Sequence, residues 1–239
     1  MKRLIVILTG AGISAESGID TFRGSEGLWE NHRIEDVASP EGFARNSDLV
    51  QQFYNGRRRD LQSAKVVPNA AHRVLAKLEQ DWPEEVLLIT QNIDDLHERA
   101  GSENLIHLHG ELLKARCTVS EKVYPWYRDI NEEDLCECCS PSNPLRPHVV
   151  WFGEMPLRLD KIYEALKECV LFISIGTSGN VYPAADFVRE AKVNGAKTVE
   201  INLEETSHYF DHHHLGPATN KVPEYVGALL LSDCYRHST

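Results

Sequence analysis

Leu4-Ile5-Val6-Ile7-Leu8-Thr9-Gly10-Ala11-Gly12-Ile13-Ser14-Ala15 is the stretch that decides the fold. Five apolar residues without polar alternation predict a strand buried on both faces, as in a parallel sheet. Directly after it, Gly10 to Ala15 fits G-x-G-x-x-A, in which the glycines allow a tight turn and let the backbone approach a pyrophosphate at a helix N-terminus. The plainer alternative is a glycine turn needed only for strand–helix packing. Met1-Lys2-Arg3 before the apolar run mimics a signal peptide, but Thr9-Gly10 ends that run too early, so a buried strand is the better reading.

Similar apolar runs recur at Val86–Ile89, Leu105–Leu108, Val170–Ile175 and Val199–Ile201, and helix-like stretches lie at Ala70–Glu79, Asp94–Ala100, Lys161–Glu168 and Pro183–Asn194. This alternation predicts an α/β fold, a Rossmann-like doubly wound parallel sheet. Two segments do not fit the alternation: 28–65 is polar and helical, and 112–150 holds cysteines and prolines without periodicity. The expected division is therefore a dinucleotide-binding domain from 1–27, 66–111 and 151–239, with a helical insertion at 28–65 and a cysteine-rich insertion at 112–150. Together the insertions form a smaller lobe over the C-terminal ends of the strands, where open α/β sheets bind ligands. Asp211-His212-His213-His214 has no spacing to another metal ligand and is expected to be a solvated loop.

Composition narrows the function classes. With 25 Lys+Arg against 36 Asp+Glu the net charge is -11, which disfavours direct nucleic-acid binding. No apolar run reaches the ~18 residues of a membrane span, so no membrane partner and a cytoplasmic location are expected. Of six cysteines, Cys117, Cys136, Cys138 and Cys139 cluster, which in a reducing compartment favours metal over disulfides.

An NAD-binding dehydrogenase would follow its glycine turn with a second strand ending in an acid about 20 residues on. Here the chain runs Ile19-Asp20-Thr21-Phe22-Arg23-Gly24 and on to Gly27-Leu28-Trp29, with no apolar strand. The candidate ribose-binding acid comes much later, in Glu200-Ile201-Asn202-Leu203-Glu204. That arrangement argues against hydride transfer.

Gly10-Ala11-Gly12-Ile13-Ser14 with Ser17-Gly18-Ile19 and Phe22-Arg23 resembles the sirtuin signature, as do Thr90-Gln91-Asn92-Ile93-Asp94, Leu108-His109-Gly110, Gly176-Thr177-Ser178 and Asn202. The blocks occur in the family's order across nearly the whole chain. The likeness is greatest to bacterial NAD-dependent protein lysine deacylases of the branch that accepts succinyl and malonyl groups. It implies that NAD is consumed as a co-substrate and that acyl-lysine proteins or peptides are the partners. It further implies NAD contacts from Gly10, Ala11, Gly12, Ile13, Glu16, Ser17, Thr21, Phe22, Arg23 and Trp29. Gln91, Asn92, Ile93 and Asp94 would line the nicotinamide and its ribose, while Gly176, Thr177, Ser178, Asn202, Leu203, Glu204 and Ala218 would hold the phosphates and adenosine. A plainer reading of Gln91-Asn92 is a capped turn before a helix at Asp94.

His109 resembles the family's catalytic base, acting with Asn92. A histidine at the end of an apolar strand stands at the crevice edge, and imidazole moves protons near neutral pH. His107, two residues earlier, competes for the role, and only one of them can point at a given ligand. Two other functions remain open here: ADP-ribosyl transfer to a protein, and a non-catalytic NAD-binding sensor, which would need no base.

Tyr54 and Arg57 stand i, i+3, so on a helix they share a face. A guanidinium grips a carboxylate bidentately and a phenol adds a hydrogen bond, which suits the free end of a succinyl or malonyl group. The plainer reading of Arg57-Arg58-Arg59 is a solvated basic face. Thr21 points the same way as Tyr54 and Arg57, because most sirtuins carry Asp there. Acetyl-lysine is not excluded. The family's structural zinc uses two C-x-x-C pairs, but Cys117-Thr118-Val119-Ser120 has lost its second thiol. Cys117, Cys136 and Cys139 are the expected ligands of one structural Zn2+, with Cys138 as a spare.

Overall fold

The structure is a computed structural model and describes residues 3–19, 28–29 and 32–236. In chain order it contains β1 (Ile5–Thr9), α1 (Ala11–Ser14), β2 (Leu28–Trp29), β3 (His32–Arg33), α2 (Ile34–Val37), α3 (Pro40–Arg45), α4 (Ser47–Leu61) and α5 (Ala70–Asp81). There follow β4 (Val86–Thr90), α6 (Leu96–Ala100), β5 (Leu105–His107), β6 (Gly110–Cys117), β7 (Val123–Pro125), β8 (Leu145–Val149) and α7 (Leu159–Glu168). The chain ends with β9 (Leu171–Ile175), α8 (Phe187–Val193), β10 (Lys197–Asn202), β11 (His212–Leu215) and α9 (Ala218–Arg236).

Six strands form one parallel sheet in the order β11-β10-β9-β1-β4-β5. Successive β1 side chains point to opposite faces, and both faces are covered. Ile5 and Ile7 pack with Leu75 and Leu78 of α5 and Val222 and Val226 of α9. Val6 and Leu8 pack with Ile162 and Leu166 of α7 and Phe187 and Val188 of α8. Burying each such side chain is worth about 1.5–3 kcal/mol, which is why these runs carry no polar alternation.

Strand order reverses between β1 and β9, creating a switch point whose crevice lies at the C-terminal strand ends. There the Gly10–Gly12 turn packs backbone to backbone on the turn after β9: the Gly10 N–H donates to Ile175 O at 3.0 Å and the Gly12 N–H to Gly176 O at 2.8 Å. A Cβ at Gly12 would stand 2.7 Å from Gly176 Cα, and Gly176 itself has φ +60. Close packing therefore requires these glycines, whatever ligand they also admit.

Above the crevice, β7-β6-β8 form a three-stranded antiparallel sheet. Between α4 and this sheet lies a core of Val50, Phe53, Tyr54, Leu61, Leu112, Val149 and Trp151. The 112–150 segment thus has regular structure that its sequence pattern hides, because its strands bury polar residues such as Arg116, Arg146 and His148 where an apolar run would be expected. Two other expectations need correction. His212-His213-His214 is not a solvated loop but most of edge strand β11, paired in parallel with β10. Backbone hydrogen bonds hold the pairing, and the His213 Nδ1 meets the buried Glu200 carboxylate at 2.8 Å. Pro183–Asn194 is not a single helix, since a 3-10 turn at Ala184–Asp186 precedes α8.

Candidate active site

The turn after β4 carries Gln91 to Asp94 against the β1 turn. The Asn92 side-chain amide donates to Gly10 O at 3.2 Å and to the Ser14 hydroxyl at 3.1 Å. That hydroxyl donates in turn to Asp94 Oδ2 at 3.0 Å, while Asp94 Oδ1 accepts from the Leu96 N–H at 3.1 Å. Asp94 therefore also takes up the first N–H of α6, which begins at Leu96 instead of Asp94 and whose N-cap Asp95 makes no side-chain cap. Burial pushes the Asp94 pKa up to about 6 against these hydrogen bonds. Behind the turn, Thr9 bonds Thr90 at 2.9 Å and His97 Nε2 at 3.0 Å, and the Asn92 N–H donates to the Thr90 hydroxyl at 3.1 Å. A buried polar scaffold of this kind holds the loop in one conformation. Ser14 and this scaffold were not among the expected site residues. Their one signal is polar residues next to glycines and at strand ends.

His109 follows β5. Its Nδ1 lies 2.9 Å from Gln91 O, so Nδ1 carries the proton and Nε2 carries a lone pair. Burial lowers the His109 pKa, partly opposed by the Gln91 carbonyl, and so favours the neutral ring that a general base requires. His107 is held apart from this position: its Nδ1 lies 3.4 Å from Asn92 O and its Nε2 2.6 Å from a Glu98 oxygen.

Across the switch point, the Asn202 side-chain amide donates to Thr177 O at 2.7 Å, and its Oδ1 accepts from the Leu203 N–H at 2.9 Å. Leu203 is exposed, and Ala218 is buried at the start of α9. Ser17 is buried and accepts from Asn69 Nδ2 at 3.0 Å. Glu16 is engaged by Thr219, accepting from its N–H at 3.1 Å and its hydroxyl at 2.7 Å, which ties the first turn to α9. Thr21, Phe22 and Arg23 lie outside the described residues, and of Trp29 the backbone in β2 is described. The crevice fits a dinucleotide on its own geometry: glycine backbones at the switch point, a half-buried amide and a buried acid on one side, and a second amide on the other.

Tyr54 and Arg57 sit together on α4. Tyr54 is fully buried, and its hydroxyl accepts from Trp151 Nε1 at 3.0 Å. Burial raises its pKa well above the phenol range, although the Trp151 bond and the charge of Arg57 act in the opposite direction. The Arg57 guanidinium lies 5.6 Å from the Phe53 ring centroid. The basic run is not a solvated face: Arg58 is fully buried, donating to Leu112 O at 3.0 Å and Asn55 Oδ1 at 2.7 Å. Arg59 is exposed and pairs with Asp129 at 2.6 Å. Trp151, which the sequence did not single out, is also stacked by Arg146 at 3.4 Å. Arg146 is neutralised by Glu154, with both contacts at 2.8 Å.

The sulfurs of Cys117, Cys136, Cys138 and Cys139 all lie within 4.8 Å of one another. Four thiolates at about 2.3 Å from a tetrahedral zinc stand about 3.8 Å apart. Cys117–Cys139 and Cys138–Cys139 each measure 3.8 Å. Backbone N–H groups of Val119 and Ser120 point at Cys117 Sγ at 3.4 Å, and that of Asn143 at Cys136 Sγ at 3.3 Å, as thiolates favour. The donor set fits zinc. Cys138, 2.9 Å from the Ser120 hydroxyl, supplies the fourth sulfur on the side of the lost thiol.

A Sir2 family model matches residues 10–183. An NAD-dependent protein deacylase of Pasteurella multocida is 62% identical over 228 residues, 95% of this chain and 97% of that protein. One from Escherichia coli K12 is 60% identical over 231 residues, 96% of this chain and 83% of that protein. A Sir2 homologue solved with NAD superposes with a TM-score of 0.83 at 39% identity, covering 96% of this chain and 91% of that one. A mutant homologue bound to 2′-O-acetyl-ADP-ribose gives 0.83 at 38%, covering 96% and 94%. Sir2Af2 bound to a myristoylated histone peptide gives 0.74 at 33%, covering 100% and 94%.

Proposed function

The chain belongs to the Sir2 family and is an NAD-dependent protein deacylase, and we propose that it removes both acetyl and succinyl groups, and malonyl groups as well, from lysine. The observation that carries this reading is His109: its Nδ1–H is committed to the carbonyl of Gln91 in the turn that also holds Asn92, which leaves Nε2 as the basic nitrogen.

NAD supplies the ribose carbon that receives the acyl oxygen and the nicotinamide that leaves. On this reading His109 Nε2 takes a proton from a ribose hydroxyl. Asn92 and Asp94, locked through Ser14, orient the nicotinamide ribose, a positioning effect rather than added reactivity. Gly10 to Ile13 and Gly176 to Ser178 let backbone approach the phosphates, and Asn202 with Leu203, Glu204 and Ala218 forms the adenosine end. Arg57 and Tyr54, side by side on α4, receive the acyl carboxylate. Zinc, held by Cys117, Cys136, Cys138 and Cys139, stabilises the small lobe and takes no part in the chemistry.

We further infer that residues 1–27, 66–111 and 151–239 act as the NAD-binding unit and that 28–65 and 112–150 form the acyl-lysine side of the cleft. Among the described residues no helix is long and apolar enough to cross a membrane. A reducing cytoplasm is the compartment that suits the clustered free cysteines.

The experiment is mass spectrometry of acetyl- and succinyl-lysine peptides incubated with NAD. Release of nicotinamide, free lysine and O-acyl-ADP-ribose is expected from both. ADP-ribose on protein without peptide deacylation would mark a transferase, and no NAD turnover would mark a sensor.

A further inference from the structure

His107 is a largely buried side chain that the deacylase mechanism does not use, and its two ring nitrogens both meet acceptors. Nδ1 faces the Asn92 carbonyl oxygen at 3.4 Å, and Nε2 faces Glu98 Oε1 at 2.6 Å. A neutral imidazole has one N–H and one lone pair, so either neutral tautomer would set a lone pair against an oxygen. Only the doubly protonated ring satisfies both contacts. The second acceptor matters because of where it lies. Asn92 is held from one side by its own amide on Gly10 and Ser14, and from the other by this imidazole on its carbonyl.

We propose that His107 is an imidazolium strut, anchored by Glu98 and donating to the Asn92 carbonyl, and hence a positioning residue for the nicotinamide-ribose end of the cleft. The inference rests on the reading of Asn92 as part of that pocket.

The charges around the ring favour this state. Glu98 of α6 touches it, and Glu111 of β6 lies within 4.8 Å of both. Asp94, in the turn after β4, adds a third acid close enough for the His107 charge to act on it. Against them stand Lys114, which takes up Glu111 at 2.7 Å, and His97, kept neutral by burial. Burial opposes the charge on His107, but the Glu98 hydrogen bond, the charges of Glu98 and Glu111 and the Asn92 carbonyl outweigh it and raise the pKa. Lys114 already takes up Glu111, so the Glu98–His107–Glu111 group reads as an ion-pair network instead of a metal site.

The strut has a kinetic signature opposite to that of the base. His109 must be neutral, so its ionisation limits activity on the acid side. His107 must be charged, so its loss of a proton limits activity on the alkaline side.

Two measurements test this. In ring 15N spectra of the wild-type protein near neutral pH, assigned with His107→Gln, His107 should show two protonated nitrogens. In pH profiles of NAD consumption, Glu98→Gln should move the alkaline limb to lower pH by about 1 and leave the acid limb in place. His107→Leu should lower kcat/KM for NAD about 10-fold. His107→Gln, which keeps a donor but does not titrate, should retain more activity and lose the alkaline limb. An unprotonated ring nitrogen on His107 near neutral pH, or an alkaline limb that ignores Glu98→Gln, overturns the proposal. A wild-type protein without NAD turnover would instead sink the site reading, while the ring spectrum would still decide the state of His107.

Discussion

The Nδ1 of His109 and the carbonyl oxygen of Gln91 lie 2.9 Å apart, joining the residue read as base to the turn read as nicotinamide pocket. This bond fixes the tautomer, so His109→Tyr should keep the fold while deacylation falls about 10²–10⁴-fold. Because burial lowers the His109 pKa, the base form persists below the ordinary histidine range, and activity should fall only as pH drops through that depressed value. A pH–rate profile of the wild type checks the limb, and a fully active variant would remove His109 from the mechanism.

Arg57→Met removes the cation but keeps an apolar stem. A charge-assisted bond is worth about 1.5–3 kcal/mol, so kcat/KM for succinyl-lysine should drop about 10–150-fold. Acetyl-lysine has no carboxylate to leave unpaired, and its rate should change less than about threefold. Equal losses on both substrates would make Arg57 structural and end the acidic-acyl reading.

Tyr54→Phe should act in the same direction on the substrate ratio, but weakly. It should also destabilise the small lobe by about 1–3 kcal/mol, because the buried Trp151 Nε1–H loses its acceptor. Chemical denaturation compared with the parallel kinetics separates the two effects.

One zinc per chain is expected by elemental analysis. Cys138→Ser should lose it and the stability it contributes, and adding Ser120→Cys should restore both by returning the thiol to the other side of the cluster. Metal retained in full by Cys138→Ser would place the fourth ligand elsewhere.

Asp94 carries a stability cost that depends on pH. Its folded pKa of about 6 exceeds the ordinary 3.8, so the folded state binds the proton more tightly. Stability should therefore fall by about 2–3 kcal/mol as pH rises from the unfolded to the folded value, then level off. In Asp94→Asn that pH dependence should disappear from denaturation curves, and NAD binding should weaken. An unchanged curve would mean that Asp94 is ionised at ordinary pKa in the fold.

Much of the fold was legible in the sequence because strands buried on both faces leave unbroken apolar runs. Leu4–Leu8, Val86–Ile89 and Val170–Ile175 each mark a central strand, with edges moved by a residue where Thr9 and Thr90 continue the ladder. His212–Leu215 was illegible because an edge strand needs only backbone pairing and places no demand on apolar side chains. Helix α9 was not among the expected helices; it runs through Pro223 and Gly227, residues that ordinarily disfavour a helix interior.

For the site, residue types and local spacing already named the glycine turn and the cysteine cluster, while the resemblance to the family singled out the Gln91–Asp94 block and picked Tyr54 and Arg57 from a basic run. These are short-range properties: a turn, an i, i+3 face, a set of thiols. Tertiary structure alone decided which partner each group meets. It gave His109 the Gln91 carbonyl and His107 a carbonyl and a carboxylate, so that the pKa values of two histidines two residues apart shift in opposite directions. It also buried Arg58 beside Arg59, which remains in solvent, and brought Cys138 in beside Ser120. Burial and hydrogen-bond partners across the switch point come from segments far apart in the chain, and protonation and ligand choice follow from them, so no local pattern encodes them.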